Sequence, residues 1–332
     1  MKKYQHLLNI IEKEDKFLLT SHVNPDGDSI GSLLALKFIL ESCSQQVEIV
    51  LADSVPGYLE FLPGSQDIHS YQELPVDLKE ESYGVYFVVD CGELSRIGEV
   101  EALLTEEDKI INIDHHEDNE EFGSKNYVDS TVAATGELIY DLAVELGVNF
   151  KSDFGTAIAT ALITDTGNFT YANTSAKTHR IIADMLELGV DTQAIITEVY
   201  GKRSFSNLKL LSKVLSELQV TAQQQIAWLS VDQSTLNSVQ ATWEDTEGLV
   251  NYPRSLEGVE VGILFKEVAA EETRVSLRSN AFFSVNEFAS YFGGGGHARA
   301  AGCTVEAPLA KAEKMVISKL KEELGVGNAG DN

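Results

Sequence analysis

Apolar residues in the first half of the chain come in short unbroken runs. "KFLLT" (16–20), "VEIVLAD" (47–53), "GVYFVVDC" (84–91) and "KIINID" (109–114) are rich in β-branched and aromatic residues and are bounded by turn signals. Between and after them the spacing becomes helical, over 29–42, 133–146 and 153–163. Tyr4, Leu7, Leu8 and Ile11 predict an amphipathic helix at the start. "SAKTHRIIADMLELG" (175–189) predicts another, capped by Ser175 and stopped by Gly189. Continuous apolar strands alternating with helices predict an α/β fold whose parallel sheet is covered by helices on both faces.

From about 190 to 220 the pattern is helical and polar, with "YGKRSFSNLKLLSKVLSEL" as the clearest connector. No Gly/Ser-rich tether interrupts it, so a helical linker is expected. A second, smaller α/β unit with a mixed sheet follows. Its strands are expected near 225–231, 259–268, 273–279 and 300–305, with helices at 284–291 and 309–323. A chain of 332 residues exceeds one ordinary core. The expected division is a domain over 1–190, a linker over 191–220, a domain over 221–325 and a loose tail over 326–332.

Hydrophobic content of 43% and charged content of 23% fit a soluble globular protein. The first residues, "MKKYQHLLNIIEKEDK", lack the apolar stretch of a signal peptide, and no run approaches the roughly 20 residues of a membrane span. Cys43, Cys91 and Cys303 are odd in number and widely spaced, which argues against a disulfide framework and for a reducing cytoplasm. The net charge of −27 opposes adhesion to duplex DNA and to anionic membranes. A small phosphorylated ligand held by local cations remains compatible with it. Five of the seven arginines follow position 200, which directs an anion-binding surface to the C-terminal part.

The chemistry gathers at predicted strand ends. "TSHVNPDGDSIGS" places His22, Asp26 and Asp28 directly after the first strand. "VVDCGE" supplies Asp90, "NIDHH" supplies Asp114, His115 and His116, and "LITDTGNF" supplies Asp165. Any one of these aspartates alone would be a turn former or helix cap. Loops at the carboxyl ends of parallel strands, however, line one crevice. Carboxylates converging there without cations would strongly resist joint ionisation. Four Asp and two His favour a hard-to-borderline ion, Mn²⁺ or Mg²⁺, over structural zinc. Six side chains suit two ions sharing one bridging Asp, with His22 and Asp26 on one and Asp28 on its neighbour. Such a pair splits phosphoesters with a metal-activated hydroxide. His115 and His116 point to opposite sides of an extended chain, so one is expected to ligate and the other to face the substrate.

"FGGGGHARAAG" (292–302) reads either as a flexible loop or as backbone that approaches a phosphate or base closely. His297 and Arg299 follow the glycines at once, and Arg278 lies on a predicted strand nearby, which favours the second reading. Arg274 on the same strand is equally readable as a surface charge.

In this order, "HVNPDGDSIGS", "VVDCGE", "NIDHH" and "LITDTGNF" resemble the four motifs of the DHH phosphoesterases, and "GGGGHARAAG" resembles the glycine-rich motif of the associated DHHA1 domain. The resemblance covers about 1–190 and 220–325 and is nearest to the stand-alone NrnA group of nano-RNases, which also remove the 3′-phosphate of pAp. It implies one Mn²⁺ on His22, Asp26 and Asp90, and a second on Asp28, Asp90, His115 and Asp165. It further implies that Asp114 orients the neighbouring histidine, that His116 contacts the scissile phosphate, and that Arg278, Gly294, Gly295, His297 and Arg299 grip the nucleotide. The implied activity is hydrolysis of short RNA oligonucleotides to mononucleotides and of pAp to AMP and phosphate, by a chain that could pair as a homodimer. A cyclic-di-AMP or pApA phosphodiesterase shares all these motifs, and a non-catalytic nucleotide sensor is the alternative of another class.

Overall fold

A computed structural model describes residues 4–104, 109–221 and 223–325, with the side chain of His297 outside the description. The tail expected to be loose, 326–332, also lies outside the described residues. The chain divides into two compact units, Met1–Lys202 and Arg203–Asn332.

In the first unit, α1 (Gln5–Ile11) leads into β1 (Lys16–Thr20), α2 (Gly27–Ser42), β2 (Gln46–Leu51) and β3 (Ile68–Ser70). There follow α3 (Val76–Lys79), β4 (Val85–Val89), 3-10 turns over Leu94–Leu103, β5 (Ile110–Asp114) and β6 (Lys125–Val128). Four helices close the unit: α4 (Thr135–Leu146), α5 (Ser152–Asp165), α6 (Ala176–Glu187) and α7 (Thr192–Ile196). The sheet order is β3-β2-β1-β4-β5-β6, and every pairing is parallel. This is the expected α/β architecture. Alternation along the strands divides the core. Phe17, Leu19, Phe87, Val89, Ile111 and Ile113 pack with Leu33 of α2, Leu138 of α4 and Leu162 of α5. Leu18, Val50, Tyr86 and Val88 face the other way, onto Ile97, Val100 and Leu103. The central strands are therefore apolar on both sides and read as unbroken runs. β3 and β6 had no such signature, because these edge strands are short and only partly buried.

The second unit contains α8 (Phe205–Leu215), β7 (Gln219–Val220), β8 (Ile226–Val231), α9 (Gln233–Val239), α10 (Asn251–Arg254), β9 (Val261–Ala269), β10 (Glu272–Ser279), α11 (Val285–Ser290), β11 (Gly295–His297), β12 (Ala300–Val305) and α12 (Leu309–Glu323). Its sheet order is β11-β12-β10-β9-β8-β7; β8 and β9 are parallel and the other pairs antiparallel. The sheet is mixed, as expected. Phe288, Val316 and Leu320 of α11 and α12 pack on one set of strand residues, Leu210 and Leu236 of α8 and α9 on the other. No helix among the described residues is long and apolar enough to cross a membrane.

Candidate metal centre

The first sheet reverses direction between β1 and β4. From β1 the chain proceeds outward to β2 and β3, whereas β4 leads to β5 and β6 on the other side. Parallel sheets open a crevice at such a switch point. His22 lies just beyond β1, Asp90 follows β4 at once, and Asp114 ends β5 ahead of His115 and His116. Asp26 caps the N-terminus of α2, Asp28 lies in its first turn, and Asp165 ends α5. Glycines let α2 and α5 meet closely. A Cβ on Gly27 would lie 2.3 Å from Thr164 Cγ2, and one on Gly31 would lie 2.5 Å from the Ala157 carbonyl oxygen.

Three groups of donor atoms result, each with all members within 4.8 Å of one another: His22–Asp26–Asp90, Asp28–His115–Asp165 and Asp90–His115–His116. Nε2 of His115 stands 3.6 Å from Asp28 Oδ2, from Asp90 Oδ1 and from Asp165 Oδ2. Nε2 of His22 stands 3.7 Å from Asp90 Oδ2. These separations are too long for hydrogen bonds. They do match donors around a shared cation, since ligands about 2.1 Å from one ion lie roughly 3–3.5 Å from each other. Asp90 is common to two groups, with Oδ2 toward His22 and Oδ1 toward His115. It sits at φ +54°, a left-handed conformation that costs a non-glycine residue energy and is commonly kept at functional sites.

Hydrogen bonds fix most of these donors in place. Asp26 Oδ1 accepts the amides of Asp28 (3.0 Å) and Ser29 (3.1 Å) and the Ser29 hydroxyl (3.0 Å), so the helix cap engages that oxygen. Ser29 Oγ also lies 2.9 Å from His22 Nε2 and 3.2 Å from Asp90 Oδ2, touching all three members of one group. His22 Nδ1 donates to the Val23 carbonyl at 2.8 Å, the tautomer that directs Nε2 into the site. Asp28 accepts the Thr135 amide (2.7 Å), the Gly136 amide (3.0 Å) and the Ser32 hydroxyl (2.9 Å). Thr135 Oγ1 donates to Asp90 Oδ1 at 3.1 Å. Asp114, fully buried, accepts His116 Nδ1 (2.7 Å) and Asn119 Nδ2 (2.6 Å). The histidine that Asp114 holds is thus His116. Asn173 Nδ2 donates to the carbonyls of Ala133 (3.0 Å) and Asp165 (3.1 Å).

Sequence reasoning missed Ser32, Asn112, Asn119, Thr135 and Asn173. Asn112 carried a visible signal, a polar residue inside the apolar "IINID"; its amide accepts from Asn119 at 2.8 Å behind Asp114. Asn119, Thr135 and Asn173 come from loops and helix starts, where polar residues are ordinary, and Ser32 lies one turn after Asp28 inside α2.

The electrostatics are those of crowded acids. Burial, then the charges of Asp90, Asp165 and Asp26, raises Asp28 well above the usual carboxylate range. Burial pushes Asp165 up to about 7, with the Asp26 and Asp90 charges adding to it and His115 opposing. Burial also opposes ionisation of Asp90, but the close approach of His22 and the charges of His116 and His115 hold it low. Burial would lower His116, yet its bond to Asp114 lifts it to about 9. Hard cations would remove the repulsion among these carboxylates, so the donor set and its spacing fit a pair of divalent ions.

The remaining candidates lie in the second unit, on the β10–β12–β11 side of its sheet. Arg278 is half-buried and pairs with Gly262 and Ala300, while Gly295 pairs with Gly302. Gly294 is required by packing, since a Cβ there would lie 2.1 Å from the Gly302 carbonyl oxygen. Arg299 donates to the Phe283 carbonyl at 2.8 Å and so braces the segment after β10. Glu260 holds the same segment by accepting the amides of Ala281, Phe282 and Phe283.

Residues 16–166 match the DHH family N-terminal domain and residues 223–325 match the DHHA1 domain. A Thermus thermophilus protein described as a bifunctional oligoribonuclease and PAP phosphatase NrnA is 34% identical over 312 residues, covering 94% of this chain and 91% of its own. A Bacillus subtilis protein with the same description is 23% identical over 302 residues, covering 90% and 92%. The crystal structure of an exopolyphosphatase-related protein from Bacteroides fragilis superposes with a TM-score of 0.90 at 30% identity, over 97% of this chain and 96% of that one. The chain belongs to the DHH family, with a DHH domain in its first unit and a DHHA1 domain in its second.

Proposed function

We propose that this protein is a metal-dependent phosphoesterase that cleaves oligoribonucleotides of two to a few nucleotides to mononucleotides, and pAp to AMP and phosphate. Similarity to proteins described as oligoribonuclease and PAP phosphatase supports the substrate class. The observation that carries the chemistry is Asp90, whose two oxygens face separate histidine-containing donor groups. His22, Asp26 and Asp90 would hold one ion; Asp28, Asp90, His115 and Asp165 would hold the other. Imidazole among the donors favours Mn²⁺ over Mg²⁺. Bound there, the ions supply a water acidified for attack near neutral pH and neutralise charge growing on the phosphoryl oxygens.

The protein's own contribution is placement. Thr135 and Ser29 lock Asp90 between the two groups. Asp114 accepts a hydrogen bond from the Nδ1–H of His116, so a phosphate oxygen would meet that ring at Nε2. The second unit, through Arg278, Gly294, Gly295, His297 and Arg299, would grip the nucleotide. Each reaction breaks one P–O bond with one water.

The test is a panel with Mn²⁺: pAp, a 5′-phosphorylated dinucleotide, longer RNA, pApA and cyclic-di-AMP. Phosphate from pAp and mononucleotides from the dinucleotide are expected. Turnover of cyclic-di-AMP or pApA alone would replace this reading with a cyclic-dinucleotide phosphodiesterase. Binding without any hydrolysis would make the protein a sensor.

A further inference from the structure

The last turn of the first unit is not α-helical. After α7, Thr197–Gly201 forms one turn of π-helix, and the chain passes to the second unit at Lys202 and Arg203. The extra residue in a π turn re-aims a side chain and is often kept at functional sites. Here that side chain is Tyr200. Its hydroxyl donates to the carbonyls of Ile163 (3.2 Å) and Thr164 (3.4 Å) in the last turn of α5. The next residue is Asp165.

Within the Asp28–His115–Asp165 group, Asp165 is the least buried donor. Its side chain is 17% exposed, against 1% for Asp28 and 3% for Asp90. The backbone beyond it is unusual: Gly167, Asn168 and Phe169 have φ of +54°, +56° and +63° in succession. The Gly167 and Asn168 amides close the helix end by donating to the Thr164 (3.0 Å) and Ile163 (2.7 Å) carbonyls, and Tyr200 adds a second donor to the same two carbonyls from outside the helix. Asn173 holds the Asp165 carbonyl from one side, and Tyr200 holds the two preceding carbonyls. Burial, with Tyr171, Asp165 and Asp26 nearby, pushes the Tyr200 phenol up, so it keeps its donor proton.

We infer that Tyr200 is a positioning residue: its hydroxyl fixes the last turn of α5 so that Asp165 faces Asp28 and His115, and thereby links occupancy of that ion group to the order of residues 197–202. The inference rests on the metal reading of the Asp28–His115–Asp165 group. Linkage requires reciprocity: an ion that fixes Asp165 also holds the π turn in place.

Tyr200→Phe removes the donor and keeps the ring, at a side chain that is 41% exposed and therefore tolerant of the change. The full chain is titrated calorimetrically with Mn²⁺ without substrate, and hydrogen exchange over 197–202 is followed with and without the ion. Wild type is expected to bind two ions and to gain protection there. In Tyr200→Phe one ion should bind about tenfold more weakly, the usual scale for an outer hydrogen-bond partner. The other should be unchanged, and the gain in protection should vanish. Unaltered affinity or protection in Tyr200→Phe overturns the assignment, as does a defect confined to Tyr200→Leu, which would credit the ring and not the hydroxyl. Wild-type protein that takes up no Mn²⁺ would overturn the metal reading itself, and the role of Tyr200 with it.

Discussion

Asp165→Asn is expected to stabilise the metal-free protein while destroying part of its ion site. Burial, with the Asp26 and Asp90 charges and against His115, raises Asp165 to about 7. An unfolded aspartate titrates near 3.9, so the gap of about 3 units corresponds to about 4 kcal/mol. Coulomb's law gives a similar scale. Donor atoms of Asp28 and Asp165 lie within 4.8 Å, where two full charges at an effective dielectric of about 20 repel by about 3.5 kcal/mol. The sign follows from the raised value. Between about pH 4 and pH 7 the folded state keeps a proton that the unfolded state has released, so wild type loses stability as pH rises through this window. Asparagine carries no such penalty. In EDTA the variant and wild type should melt together near pH 4 and diverge up to about pH 7. By about pH 8 the variant should melt roughly 8–16 °C higher, taking about 2–4 °C per kcal/mol for a unit of this size. Saturating Mn²⁺ should reverse the order, because only wild type keeps every donor. Equal melting in EDTA at pH 8, or a gap that narrows as pH rises, would refute the claim that these acids repel one another without ions.

Asp90→Ala should abolish turnover and eliminate uptake of both ions in calorimetry; near-normal activity would contradict a shared ligand. Gly27→Ala places a Cβ 2.3 Å from Thr164 Cγ2 and forces α2 and α5 apart, at about 1–3 kcal/mol. It should lower the melting temperature and weaken Mn²⁺ binding together, and an unchanged melt would show that the helices adjust freely. Arg299→Ala removes the brace on the Phe283 carbonyl and should raise KM with little change in kcat. A fall in kcat at constant KM would place Arg299 in the chemical step instead.

The central strands were legible because β1, β4 and β5 are buried on both faces and so appear as unbroken apolar runs. The acidic ends of these runs were legible for a related reason: Asp90 and Asp114 break apolar stretches where a core residue would otherwise stand. The supporting residues gave no such contrast. Thr135, Asn119 and Asn173 occupy turns and helix starts, where polar side chains are ordinary, and Thr135 and Asn173 reach partners far away in sequence. Thr135 meets Asp28 across 107 residues, and Tyr200 meets Ile163 across 37. A contact of that kind is created by packing and has no local pattern. Gly294 shows the reverse difficulty. Its place in a run of glycines suggested ligand approach, whereas strand packing against Gly302 already demands glycine there.

The capping role of Asp26 and the coordinating role proposed for it are complementary. Its Oδ1 closes the N-terminus of α2, a 16-residue helix, while the carboxylate also belongs to the His22–Asp90 group. Asp28 repeats the arrangement with a different helix, accepting the Thr135 and Gly136 amides at the start of α4. Two helix N-termini are thus aimed at the acid cluster, and each carries a positive partial charge of about half a unit. They offset part of the repulsion during folding, before any ion arrives. They do not offset all of it, because Asp28 remains raised well above its ordinary range despite three hydrogen bonds. A divalent cation bound there would remove what is left of that imbalance, so incomplete compensation by the helices would itself favour metal binding.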